Sequence, residues 1–255
     1  MSPLPILGGL IAILVAFGIV EKRKHTRSLS SIPIRIHVNG TRGKSSVTRL
    51  VAAGLRAGGV RTIAKTTGSA ARMIWEDGSE TPVERFGPPS IREQIAVVNK
   101  AAERGAKALV VECMALQPDY QFFTEHRFIR STHGVITNVR ADHLDVMGPT
   151  ETHVAAALSN SIPRNAKCYT AEERNVEPLR WVARKQGTEL REITVSEKDR
   201  EDAGLFSYIE HPENIAIALE ICNDIGYRPF NSPIRYVGIH TGYRRTENMG
   251  NPLLR

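Results

Sequence analysis

The chain has 255 residues, 41% hydrophobic and 24% charged, which excludes wholesale disorder and leaves room for one large domain or two small ones. Net charge is +7, but +3 sits in residues 21–27 and +3 in residues 231–255, so the near-neutral body excludes a broad nucleic-acid-binding face. The three cysteines, Cys113, Cys168 and Cys222, are far apart with no C-x-x-C pair, which excludes a disulfide framework and a cysteine zinc site.

Residues 1–20 carry no charge, and residues 4–20 (LPILGGLIAILVAFGIV) are almost wholly apolar. Twenty helical residues reach roughly 30 Å, about one hydrocarbon core, so a single-pass membrane anchor is expected. The N-terminus lacks the basic start of a cleaved signal peptide, and the cations Lys22, Arg23, Lys24 and Arg27 come after the apolar run. That asymmetry keeps the remainder in the cytoplasm. A buried core helix or an uncleaved export signal is the competing reading. Residues 21–32 read as a basic juxtamembrane linker.

From there the pattern alternates. Residues 34–38 (IRIHV) predict a strand, and residues 45–57 a helix closed by Gly58 and Gly59. A strand follows over 60–64. Residues 66–89 are rich in Gly, Thr, Ser and Pro and read as a long functional loop. Residues 91–104 predict a helix with Ile91, Ile95, Val98 and Ala102 on one face, stopped by Gly105. Residues 108–113 (ALVVEC) form a continuously apolar strand of the kind buried in parallel sheets, and 134–137 another. Weaker alternation gives a helix at 150–161, a strand at 166–170, a helix at 176–186, a strand at 189–194 and a last helix at 212–225. The expected class is α/β, a P-loop-containing parallel sheet with helices on both faces. Its boundaries are an anchor at 1–20, the linker, the main α/β domain at 33–230 and an irregular tail at 231–255.

Residues 39–46 read NGTRGKSS between the first strand and the first helix. This is an anion cradle: backbone N–H groups and the helix N-terminus face phosphates, Lys44 reaches the terminal ones, and the Ser45 hydroxyl can ligate Mg²⁺. The longer G-x-x-x-x-G-K-[ST] form would need Gly where Val38 stands, so the loop is the shorter G-x-x-G-K-S from Gly40. Glu112 ends an apolar strand, where a buried carboxylate needs a cation or hydrogen bonds. Residues 138–148 (NVRADHLDVMG) place Asp142, His143 and Asp145 in one loop, suited to a second divalent cation or simply a polar turn. Asn214 starts an apolar helix, as a cap or as a ligand.

Together these segments resemble the ATP-dependent Mur ligase superfamily. The loop is similar to its G-T-N-G-K-T-T form, residues 138–148 to its N-x-x-x-D-H-L-D motif, and the Asn214 segment to its adenine-side asparagine motif. Within that family the chain resembles the ligase subunits of membrane poly-γ-glutamate synthases over residues 39–45, 65–74, 112–121 and 142–150.

The resemblance implies that Gly40, Thr41, Arg42, Gly43, Lys44, Ser45, Ser46 and Asn214 bind ATP, with Lys44 on the β/γ-phosphates. Ser45 and Glu112 would hold one Mg²⁺, Glu112 and His143 would serve a second, and Lys44, Glu112 and His143 would form the catalytic set. Thr66, Thr67, Gly68 and Arg72 stand where substrate contacts are expected. Arg130 occupies the place assigned to a carbamylated lysine. The implied reaction is amide formation through an acyl phosphate, joining glutamate to glutamate or poly-γ-glutamate beside other membrane subunits of a synthase, with no nucleic acid. Residues 231–255 do not resemble the start of the family's C-terminal domain, so that domain is expected to be missing. The alternative is a nucleotide-binding module or membrane scaffold without turnover. A P-loop kinase or GTPase fits less well, because N-K-x-D is absent and the residue 138–148 motif goes unused.

Overall fold

The computed structural model describes residues 4–226 apart from 69, 86 and 207, and the tail expected at 231–255 lies outside the described residues. In chain order the elements are α1 (Leu4–Ser31), β1 (Ile34–Asn39), α2 (Lys44–Ala57), β2 (Thr62–Lys65), β3 (Arg72–Ile74), β4 (Glu80–Pro82), α3 (Glu93–Glu103) and β5 (Ala108–Glu112). Next come α4 (Pro118–Phe123) running into a π-helical turn (Thr124–Ile129), β6 (His133–Ile136), α5 (Leu144–Met147) and α6 (Glu151–Leu158) with a 3-10 turn (Ser159–Ser161). The last are β7 (Lys167–Thr170), α7 (Glu177–Gln186), β8 (Glu189–Glu192), α8 (Glu197–Gly204) and α9 (Pro212–Asp224).

The strands form one eight-stranded sheet in the order β4-β3-β2-β5-β1-β6-β7-β8. From β2 to β8 in that order the neighbours are parallel, as expected of crossover connections. The expectation of a purely parallel sheet needs one correction. Within the segment read as a loop, β3 pairs antiparallel with β2 and β4 with β3, so the sheet is mixed. Strands of three residues are too short to show a two-residue period, and their partner β2 lies outside the segment.

Strand parity sorts the core. Ile36, Val38, Ala108, Val110 and Ala64 join α2 and α9 on one face. Ile63, Leu109 and Val111 join α3 and the end of α1 on the other, while Ile136 and Cys168 pack under α6 and α7. The alternate side chains of β1, His37 and Asn39, therefore point toward α4 and its π-helical turn, where Glu125 and Gln121 receive them.

The N-terminal expectations are corrected. Residues 21–32 are no linker, because α1 is continuous through Ser31 and docks on the body through His25, Ser28 and Leu29. Residues 6–20 are all exposed. Among the described residues no helix is long and apolar enough to cross a membrane, so the expected transmembrane span has no support.

Candidate functional site

The site gathers where β2, β5, β1 and β6 end side by side. The turn from β1 into α2 depends on two glycines. Gly40 has φ +129° and Gly43 φ +79°, and a Cβ would collide with Thr137 Oγ1 at the first and with Asn214 Oδ1 at the second. Lys44 opens α2 and its Nζ donates to Gly40 O (2.7 Å) and Thr41 O (3.2 Å), so the ammonium lies over the loop that would face phosphates. Ser45 and Ser46 follow in the first turn of α2.

Parity puts Glu112 on the face that α2 covers, beside Ala108 and Val110. It is 3% exposed. Its Oε2 accepts from Ser45 Oγ (2.8 Å) and from the Thr67 backbone N (2.7 Å). One carboxylate thus joins the phosphate loop to the segment expected to contact substrate. Ser45 and Glu112 are a pair of hard oxygen donors at an anion-binding turn, which fits a divalent cation.

In that segment Gly68 has φ +85°, and Thr66 N donates to Arg72 O (2.9 Å). The Thr66 hydroxyl is buried without a partner among the described residues, and Arg72 Nε lies 3.6 Å from Glu80 Oε2 on β4. Sequence reasoning missed the support behind it. Lys65, fully buried at the end of β2, pairs with Glu93 Oε1 at 2.7 Å, and Glu93 also accepts from Arg85 Nε at 2.6 Å. Burial lowers the Lys65 pKa while the Glu93 hydrogen bond resists that shift.

A second missed feature is the grip of the 137–138 segment on the phosphate loop. Asn138 Oδ1 accepts from Thr41 Oγ1 (2.6 Å) and Arg42 N (3.1 Å), and its Nδ2 donates to Arg42 O (3.1 Å). Thr137 Oγ1 donates to the same carbonyl at 2.6 Å. Asn138 heads the motif already singled out, so the signal was present but its target was not.

His143 caps α5 with φ +46° and is about half exposed. Asp142 lies 3.7 Å from Arg42 and 3.8 Å from the His143 ring. Among the described residues no group of three or more His, Cys, Asp or Glu is placed to hold a metal ion, so Asp142, His143 and Asp145 do not form the expected cluster. Glu112 and His143 share the sheet edge, and no hydrogen bond or ion pair joins them among the described residues.

Asn214 is buried in the first turn of α9, whose cap is His211, so it is not itself the cap. Its Nδ2 donates to Glu210 Oε1 (2.7 Å), a residue the sequence reading did not single out, and its Oδ1 rests against Gly43. Gly43, Asn138 and Asn214 line a cleft of 630 Å³ that also carries Arg42, Arg140 and Arg174. Arg130 is corrected outright. It follows the π-helical turn and precedes β6, and Arg35 Nε near the start of β1 donates to its carbonyl (3.0 Å), so it sits at the opposite sheet edge.

With this geometry in hand, the chain matches the Mur ligase middle domain over residues 38–240. It is 41% identical over 223 residues to the capsule biosynthesis protein CapB of Bacillus anthracis, covering 87% of this chain and 48% of that protein. It is 38% identical over 217 residues to PGA synthase CapB of Bacillus subtilis (strain 168), covering 84% and 55%. The chain therefore spans about half the length of these curated relatives. Among solved structures, the Yersinia pestis bifunctional folylpolyglutamate synthase/dihydrofolate synthase, complexed with AMPPNP and Mn ion, superposes with TM-score 0.65 at 15% identity. That match covers 88% of this chain and 61% of the other, and it shares the fold.

Proposed function

The chain belongs to the Mur ligase family, and from that premise we propose that it serves ATP-dependent amide ligation in the synthesis of a poly-γ-glutamate capsule polymer. In this reading a glutamate γ-carboxylate oxygen takes the terminal phosphoryl group of ATP, giving an acyl phosphate and releasing ADP. The amine of another glutamate then attacks the acyl carbon and phosphate leaves. The names of the two curated relatives, a capsule biosynthesis protein and a PGA synthase, support the substrate class.

The observation that carries the reading is the junction at Glu112, where Ser45 from the phosphate loop and Thr67 from the substrate-side segment meet one carboxylate. Lys44 neutralises charge on the moving phosphoryl group, and the loop N–H groups orient it. Ser45 and Glu112 would hold Mg²⁺, which when bound withdraws charge from the phosphate oxygens. His143 is assigned to a second ion on the same edge. Thr66, Thr67, Gly68 and Arg72 orient the acceptor, and Asn214, braced by Glu210, borders the adenine side of the cleft. No side-chain nucleophile is needed.

The test is transfer of ¹⁸O from a labelled glutamate γ-carboxylate to inorganic phosphate during ATP-dependent ligation. Ligation without label transfer removes the acyl phosphate. A second reading keeps nucleotide binding without turnover. A nucleotide-binding module or scaffold would bind Mg·ATP and release no phosphate with any glutamate acceptor.

The exposed apolar residues 6–20 support a place at the cell membrane beside other subunits of a synthase, with the body on the cytoplasmic side. Protease added to intact cells is expected to spare the body, and its complete digestion without lysis overturns that topology.

A further inference from the structure

A cleft of 710 Å³ opens under the end of α1, at the sheet edge opposite Lys44. Its lining carries Lys22 from α1, Arg35 from β1, Arg127 and Arg130 at the π-helical turn, and Arg164 ahead of β7. Among the described residues none of these cations is ion-paired. Arg35 is turned onto backbone carbonyls, the shortest contact being 2.6 Å to Ile32 O, and Arg164 Nε donates to Gln186 Oε1 at 2.9 Å. Glu125 is the carboxylate in the lining, and both its oxygens are occupied. Oε2 lies 2.9 Å from His37 Nδ1 and accepts from Ser131 Oγ at 2.9 Å, while Oε1 accepts from Ser131 N at 2.8 Å. The cleft thus carries five cations against the one carboxylate of Glu125 among the described residues.

A second observation points to a ligand there. His25 lines the cleft at 8% exposure, and neither of its ring nitrogens has a hydrogen-bond partner. Burial lowers the His25 pKa, against the backbone carbonyls of Phe128 and Arg127, which raise it. Buried polar atoms in folded proteins are nearly always satisfied, so a ring without a geometric hydrogen bond at the wall of a cationic cleft is a group that a ligand can satisfy.

We propose that this cleft binds the phosphate-bearing headgroup of an anionic phospholipid. Phosphate matches the guanidinium fork and can accept from an imidazole as well. The choice of a lipid rests on continuity, because Lys22 and Thr26 of the lining follow on the same helix directly after the exposed apolar residues 6–20. A headgroup held at the foot of that helix would keep its acyl chains alongside the apolar segment. Basic pockets beside membrane-embedded helices are a known physical solution for anionic headgroups. The proposal rests on the membrane placement given above, and it is independent of the ligase chemistry at the other sheet edge.

The experiment is sedimentation of the full chain with vesicles of phosphatidylcholine, with and without phosphatidylglycerol. It compares wild type with the triple variant Arg127→Gln, Arg130→Gln, Arg164→Gln, and with Arg127→Glu alone in case the triple variant misfolds. Phosphatidylglycerol is expected to strengthen wild-type binding by roughly tenfold or more. The variants are expected to lose that gain while keeping their circular dichroism, their ATP affinity and their binding to phosphatidylcholine. A gain that survives both variants belongs to other cations of α1 and overturns the site. Binding to phosphatidylcholine with no gain overturns the headgroup proposal and leaves the membrane placement standing. Wild type that binds neither vesicle overturns the membrane placement and this proposal with it. Arginine-dependent binding of soluble polyglutamate without a lipid gain assigns the cleft to a polyanion instead.

Discussion

Lys44 spends its ammonium on two carbonyls of its own loop, Gly40 and Thr41, at the turn where backbone donors converge. Lys44→Ala removes those bonds, each contributing about 1 kcal/mol net, and also the contact to terminal phosphates. The fold should persist while ATP affinity drops by roughly tenfold or more, read by calorimetry. Unchanged affinity in a folded variant removes the loop from ATP binding. His133, at the start of β6, behaves differently. Burial pushes its pKa from 6.5 down to about 4, against the opposing pull of Asp224. Above pH 6.5 the ring is neutral whether folded or not. As pH falls from 6.5 to 4 the unfolded chain takes a proton that the fold resists, so stability drops by on the order of 3 kcal/mol. Urea midpoints at pH 7 and pH 4.5 should show a smaller acid loss for His133→Gln than for wild type.

Among the elements, α1 divides into two parts with different energetics. Residues 6–20 are all exposed, whereas Leu29 lies in the core with Ile32, Val97 and Val98. Removing residues 4–20 is expected to leave the urea midpoint of the body unchanged and to release the protein from membranes into the soluble fraction. Leu29→Ala, by contrast, is expected to cost about 2–4 kcal/mol through the cavity it leaves. Legibility also varied by element. The β1–loop–α2 unit could be read because its glycines, lysine and serines are contiguous, and its boundaries shifted by a residue. The hairpin of β3 and β4 could not, since Arg72 and Glu80 reveal their pairing only across strands, with Arg49 of α2 also bonded to Glu80. Helix α8 went unread although Ser196 and Asp199 form a capping box, because its body, EKDREDAG, has no apolar period to extend that signal.

For the whole molecule, ligand binding should couple the ends of β1, β2 and β5. Mg·ATP at about a hundred times its Kd stabilises a protein by ~2.7 kcal/mol if it binds the folded state alone. Thermal melts should therefore rise with Mg·ATP, and EDTA should cancel the Mg²⁺-dependent part. Glu112→Gln keeps the shape but removes the charge facing Ser45 and Thr67, so it should abolish the Mg²⁺ increment and ATP-dependent ligation together. A Glu112→Gln protein that ligates as fast as wild type contradicts the metal role.

Contiguous stretches were legible in the residues alone: a Gly-rich turn with Lys44 and Ser45 between a strand and a helix, and a carboxylate at the end of a buried strand. Those are local, because a strand–turn–helix needs its glycines in place and strand parity alone chooses the face of Glu112. What each of these meets depends on the assembled sheet. It set Asn138 on the loop from ninety-seven positions away and put Arg130 at the far edge. It also pressed Asn214 against Gly43 and buried Lys65 on Glu93. Such contacts depend on strand order and on which helix crosses which face, and these are set by burying the whole apolar surface at once. No local run of residues carries that information, and so the partners of the site became visible only when the sheet was assembled.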